Sequence, residues 1–181
     1  MSKKNSANKE HSYYMKIAMK AAKRALAKNE VPIGAVVVDP EGNIVATASN
    51  MVHRSKSQTE HAEVRAIKKA CKKLGDWRLD GYWVYVTLEP CTMCYGLMRL
   101  CRISGLVYGA KSALFGYRLD KGIDLDVYKK DTIEVIAGVL RDEAVDILRS
   151  FFKNKRKKGE RRKKQYSKFV ERHKKDKEGS G

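Results

Sequence analysis

Apolar residues along this chain recur with two periods, and the switches between them mark out the elements. Over residues 14–29, "YMKIAMKAAKRALAKN", Ile17, Ala21 and Ala25 repeat at helical spacing, which predicts a first helix that ends before Pro32. The runs "IGAVVVD" and "NIVATASN" are rich in β-branched residues and are joined by "PEG", so they predict an antiparallel hairpin. In "EHAEVRAIKKACKKL" the apolar positions Val64, Ile67, Ala70, Cys71 and Leu74 restore the helical period. "YWVYVTL" then reads as a buried strand that stops before Pro90. A further helix follows Pro90, then a strand in "ISGLVYGA", a Gly-bearing loop over residues 111–122, a fifth strand in "TIEVIAG" and a closing helix in "DEAVDILRSFF". Strands alternating with helices after a single hairpin predict an α/β fold, a mixed sheet covered on both faces. No internal repeat is visible.

Length and charge sharpen this picture. At 181 residues and 43% hydrophobic content, the chain suits one domain with a substantial core. The amino terminus, "MSKKNSANKEHSYYMK", has charge but no apolar run, and no segment approaches the ~18 apolar residues of a membrane span, so a cytoplasmic protein without membrane partners is expected. Lys and Arg number 39 against 21 Asp and Glu, a net charge of +18, which points to a polyanionic partner such as nucleic acid. From Lys153 to Glu178 there are 14 Lys/Arg and 4 Asp/Glu, a net of +10. The natural division is a body at 11–152 and a basic extension at 153–181, partly helical or disordered. A run of lysines is commonly just solvated chain. Here "YSKFV" interrupts it with Tyr166, Phe169 and Val170 at helical spacing, a small apolar face that could dock on the body or stack on RNA.

Candidate chemistry begins with "PCTMC". Four cysteines are few for a disulfide scaffold, so thiolate chemistry or burial is their expected use. Pro90 suits the first turn of a helix, which would project Cys91 and Cys94 from one face of its opening turn, toward one metal. The positive end of that helix favours thiolates. A redox pair uses the same geometry, so the spacing alone leaves redox, structural zinc and catalytic zinc open. "HAE" at residues 61–63 discriminates: His61 adds one nitrogen donor, and three donors leave a fourth position for water, the arrangement of a catalytic site. Glu63 then has a role as proton carrier, provided His61 and Glu63 both lie in the first turn of their helix. In mid-helix, residues two apart diverge by about 200°. Cys101, seven residues beyond Cys94, lies too far along the helix to share the metal, and Cys71 and Cys101 are expected in the core. Met15 and Met19 are expected as core filler, and His11, His53 and His173 as solvated or loop residues.

HAE followed by PCxxC is the zinc deaminase signature. With "EVPIGAVVV", Asn50 after the second strand, "WRLDGYWVYVTLEPC", "LVYGA" and "SFFKNKR" in order, the chain resembles the bacterial tRNA adenosine deaminases of the zinc-dependent cytidine/deoxycytidylate deaminase superfamily over roughly residues 14–156. The resemblance implies a cytidine-deaminase-like three-layer α/β/α fold with a five-stranded mixed sheet. It implies one Zn²⁺ per subunit held by His61, Cys91 and Cys94, with Glu63 as proton shuttle. Asn50 would hydrogen-bond the flipped base, and Val31, Pro32, Leu88 and Phe152 would shape its pocket. The implied reaction is hydrolytic deamination of adenosine to inosine at the wobble position of a tRNA anticodon, with a tRNA anticodon stem-loop as partner and a homodimer as assembly.

Two departures from the family pattern matter. Many members read Asp-Pro-Thr-Ala before the zinc histidine, whereas this chain has "SQTE" at residues 57–60 and lacks the stiffening proline. After "YGA", many members carry an acid where this chain has Lys111 and Ser112. If Ser112 binds substrate there, the lost acid softens discrimination against deoxyribose and predicts weak action on adenine in single-stranded DNA. Ser112 could equally do no more than cap a short turn. Competing functions are deamination of free cytidine or deoxycytidylate, a zinc-stabilised RNA-binding module without catalysis, and a thioredoxin-like redox role. The tail charge opposes the first, the buried cost of an idle Glu63 beside zinc opposes the second, and one zinc per chain would exclude the third.

Overall fold

The computed structural model describes the backbone of residues 3–119 and 133–178, and the side chains of residues 9–119, 133–158, 160 and 161. The end of the predicted Gly-bearing loop, Thr132 and the side chains of Tyr166, Phe169, Val170 and His173 lie outside the described residues. Two compact units divide at Ile147/Leu148.

The first unit is built on a five-stranded sheet. Helix α1 (Lys3–Ala27) leads into strands β1 (Gly34–Val38) and β2 (Ile44–Ser49), and a single-turn helix α2 (Val52–Ser55) precedes α3 (Ala62–Leu74). Strand β3 (Trp83–Leu88), helix α4 (Thr92–Leu100), strands β4 (Gly105–Ala110) and β5 (Glu134–Ala137) and the start of helix α5 (Arg141–Glu178) follow. The strand order is β2-β1-β3-β4-β5. β1 pairs antiparallel with β2 and β3, whereas β3–β4 and β4–β5 are parallel, so the sheet is mixed as predicted. Among the described residues, no helix is long and apolar enough to cross a membrane.

Strand alternation splits the core into two layers. Ala35, Val37, Val84, Val86, Leu106 and Tyr108 join the cluster that takes in Ala66 and Ile67 of α3 and Met98 of α4. The intervening Val36, Val38, Tyr85 and Val107 face the other way and pack with Tyr14, Met15 and Ala18 of α1. All five residues of β1 are buried, as a central strand covered on both faces requires. Gly34 opens β1 where α1 crosses it most closely: a Cβ there would lie 2.1 Å from the Ala18 carbonyl oxygen and 2.7 Å from the Ala21 Cβ.

Three expectations need correction. Helix α1 begins at Lys3 rather than Tyr14, and the added turns place His11 over the sheet. His11 is not a solvated residue: its Nδ1 lies 3.1 Å from the Tyr85 hydroxyl, and its ring centroid is 5.4 Å from that of Trp83. Pro90 stands outside α4, because Cys91 is the N-cap, with extended φ −73° and ψ 167°. The one-turn helix α2 and the 3₁₀ turn at Gln58–Glu60 carry no periodicity long enough to predict.

Candidate metal and catalytic centre

The register collects the candidate residues at one end of the sheet. Gly34 pairs with Ser49 and Ala35 with Val86, so the segment entering β1, the residue leaving β2 and the end of β3 meet there. The Asn50 N–H donates to the Ile33 carbonyl at 2.9 Å, and the Gly34 N–H donates to the Thr87 hydroxyl at 3.2 Å. Leu88 pairs with Ala110, and the Glu89 N–H reaches the Ala110 carbonyl at 2.8 Å, which adds the start of the β4–β5 connection to the same edge. Binding at the carboxyl ends of strands where the connection pattern changes is the general rule for α/β sheets.

Two helices begin at this edge with a chemical residue at each N-cap. His61 caps α3 with φ −61° and ψ 149°, and Cys91 caps α4; the structure records no side-chain capping hydrogen bond at either. Each turns toward the other. His61 Nδ1 lies 3.6 Å from Cys91 Sγ and 3.4 Å from Cys94 Sγ, and the three donor atoms all fall within 4.8 Å of one another. Tetrahedral zinc with these ligands requires ~3.6 Å between nitrogen and sulfur and ~3.8 Å between sulfurs. The donor set therefore fits zinc in spacing and in chemistry, with one coordination position left beyond the three side chains.

Electrostatics at the donors point the same way. The Cys91 thiol is held down to about 4 by hydrogen bonds from Cys94 and His61, against the opposing effect of burial. Cys94 is pushed up by its bond to Cys91 and by burial, so the pair gives up one proton readily and retains the second. Hydrogen bonding to Cys91 lifts His61 above its ordinary value although burial opposes it. A dication would release the retained proton and the imidazole proton on binding.

Glu63 is the second residue of α3 and is 4% exposed. Because His61 is extended at the cap, the carboxyl reaches the donor cluster, where it hydrogen-bonds Cys94. Burial raises its pKa. Glu63 lies in the first turn of α3, and His61 stands one step outside it as the cap.

Two buried carboxylates that sequence reasoning missed organise the surroundings. Glu30, fully buried, accepts the His53 and Arg54 N–H groups of α2 at 3.1 and 2.6 Å and lies 3.5 Å from the Asn50 amide nitrogen. Glu89, 4% exposed, accepts the Ser112 N–H at 3.1 Å and Arg118 Nε at 2.9 Å. Neither sits in a periodic apolar pattern; only the neighbouring prolines Pro32 and Pro90 hinted at fixed backbone there. Asn50 is 3% exposed and Pro32 buried, with Val31 and Leu88 half-buried at the same edge. The Ser112 hydroxyl accepts the Phe115 N–H at 3.2 Å, so it caps its own loop. Phe152 belongs to the second unit, is 45% exposed and stands edge-on to Phe151. In place of the missing proline, Ser57 accepts the Thr59 N–H, and Glu60 pairs with Arg65 at 2.6 Å.

The family model for the cytidine and deoxycytidylate deaminase zinc-binding region matches residues 8–110. A tRNA-specific adenosine deaminase of Bacillus subtilis (strain 168) is 43% identical over 149 residues, covering 80% of this chain and 90% of that protein. Among solved structures, one from a study of A-to-I editing by tRNA:A34 deaminases at the wobble position superposes with a TM-score of 0.68 at 36% identity, over 75% of this chain and 99% of the other. A guanine deaminase from Bacillus subtilis reaches a TM-score of 0.55 at 36% identity over 66% and 74% of the two chains.

Proposed function

The chain belongs to the tRNA-specific adenosine deaminases within the cytidine and deoxycytidylate deaminase family, and from that premise we propose that it deaminates adenosine to inosine at the wobble position of a tRNA anticodon. The observation that carries the reading is the His61, Cys91 and Cys94 donor cluster with the buried Glu63 carboxyl beside it. His61, Cys91 and Cys94 would hold zinc, the family's cofactor, whose Lewis acidity brings a water close to ionisation near neutral pH. Two thiolates cancel the formal charge of the dication, so a nearby base is needed.

Glu63 fills that need. Its burial-raised pKa suits a group that carries two protons in turn, one from the attacking water to N1 of the purine and the second from the new C6 hydroxyl to the departing amino nitrogen. Water adds at C6, the C6–N6 bond breaks, and ammonia leaves. Asn50, steadied by Glu30, would present the rest of its amide to the base. Val31, Pro32 and Leu88 would wall the base. Ser112 is read as a loop cap, so the expected activity on deoxyadenosine loses its residue-level support. A tRNA substrate agrees with the +18 charge and with a cytoplasmic location; a homodimer is the assembly in this reading.

The test is sequencing of candidate anticodon stem-loops after incubation with enzyme, where inosine reads as guanosine. Conversion of the wobble adenosine is expected. Ammonia released from free cytidine, deoxycytidylate or guanine, with every stem-loop untouched, would overturn the reading in favour of a free-base or nucleotide deaminase.

A further inference from the structure

The chain leaving β4 at Ala110 holds two adjacent apolar side chains out in solvent, Leu114 at 78% and Phe115 at 74% exposure. Single exposed apolar residues are ordinary, and a mobile loop would fold such a pair onto the body. Here the backbone is tied down on both sides of the pair. Glu89 accepts the Ser112 N–H and the Arg118 side chain, and the Ser112 hydroxyl holds the Phe115 N–H at 3.2 Å. Gly116 rides directly on the Glu89 carboxylate, where a Cβ would come within 2.6 Å of its carbon. The Tyr117 N–H then donates to the Pro90 carbonyl at 2.9 Å, and its ring stacks on Tyr95 with centroids 3.9 Å apart and planes 4° from parallel.

Those last anchors are the chain neighbours of two zinc donors, since Pro90 precedes Cys91 and Tyr95 follows Cys94. Two residues of chain span at most about 7 Å, so the Phe115 Cα stands within that distance of the Tyr117 Cα, on a loop anchored to the segment that carries Cys91 and Cys94. Lys111 precedes the pair on the same loop and suits a phosphate backbone. An adenosine that reaches the buried Glu63 must leave its stack, which strips one face from the base beside it. An aromatic ring on a loop pinned to that segment can replace that stacking partner without reading base identity.

We propose that Phe115, supported by Leu114, is the stacking platform for the nucleobase adjacent to the target adenosine in a single-stranded loop; this rests on the tRNA-deaminase reading above. Phe115 is a positioning residue: it binds the flank and leaves the proton transfers to Glu63.

The experiment uses full-length, zinc-loaded protein and an anticodon stem-loop carrying 2-aminopurine on one side or the other of the target adenosine. Wild type, Phe115→Ala and Phe115→Tyr are compared. The alanine variant is expected to raise KM about tenfold with kcat within about twofold, to lose the 2-aminopurine fluorescence change at one flank, and to leave the edited position unchanged; tyrosine restores both signals. Phe115 is exposed, so its truncation leaves the core intact. Unchanged KM and fluorescence in Phe115→Ala, beside active wild type, would overturn this inference alone. A dimer that becomes a monomer in Phe115→Ala by sedimentation would assign the face to a second copy of the chain and also overturn it. Wild-type protein that edits no stem-loop would overturn the tRNA reading and this inference with it.

Discussion

Roles at the metal separate at the level of single atoms. Glu63→Gln keeps the size and burial of the side chain but can neither accept nor return a proton. The variant should retain about one zinc per chain and lose nearly all turnover, whereas Cys91→Ala should lose metal and stability together; metal analysis beside single-turnover deamination distinguishes them. In protein stripped of zinc, the sign of the Cys91 shift sets reactivity. A thiol held at about 4 is ionised above that pH, so Cys91 should be alkylated by iodoacetamide at pH 6 and protected as pH falls through 4. Burial raises the pKa of Cys71, and burial also pushes Cys101 up to about 11, so both should remain unmodified. Peptide mass spectrometry with and without zinc checks this. Glu30 tests support rather than chemistry. It satisfies two N–H groups of α2, so Glu30→Gln, with one acceptor oxygen in place of two, should lower stability by about 1–3 kcal/mol in denaturant unfolding and slow turnover through Asn50.

Elements meet at this site by their ends. The N-termini of α3 and α4 converge with His61 and Cys91 as caps, so helix dipoles favour anionic sulfur where the metal charge is to be held. The convergence depends on a sheet placed closely enough against α1 to keep β1 in register between β2 and β3. Gly34→Ala forces a Cβ into the Ala18 and Ala22 backbone. It should cost about 1–3 kcal/mol by overpacking, seen as a lower denaturant midpoint with an unchanged slope.

At the scale of the whole molecule, charge is divided from chemistry. The donor cluster lies in the first compact unit, while residues 153–178, with net charge +10, run along α5 through the second. Charge of this kind supplies affinity for phosphates without reading bases. Truncation before Lys157 should therefore weaken stem-loop binding and flatten its dependence on salt concentration, while the edited adenosine stays the same. A titration series at several salt concentrations, with sequencing of the product, measures both. A change in which adenosine is edited would make the tail a reader of sequence.

The chain alone determined the strands, the longer helices apart from the start of α1, and the metal donors, because these are local. The five strands follow from runs of β-branched residues, and α3 from Val64, Ile67 and Ala70 at helical spacing; His61, Glu63, Cys91 and Cys94 follow from motifs a few residues long. Tertiary structure decided whatever depends on partners distant in sequence. Glu30 acquires its role from His53 and Arg54, more than twenty residues later, and Glu89 from Ser112 and Arg118 across the end of β4. His11 left solvent because α1 crosses the sheet above Trp83 and Tyr85. Pro90 was drawn one step outside its helix because Cys91 must stay extended to face His61. A buried carboxylate or a turned cap has no period of its own; its position is fixed only when the sheet brings its donors within hydrogen-bond reach.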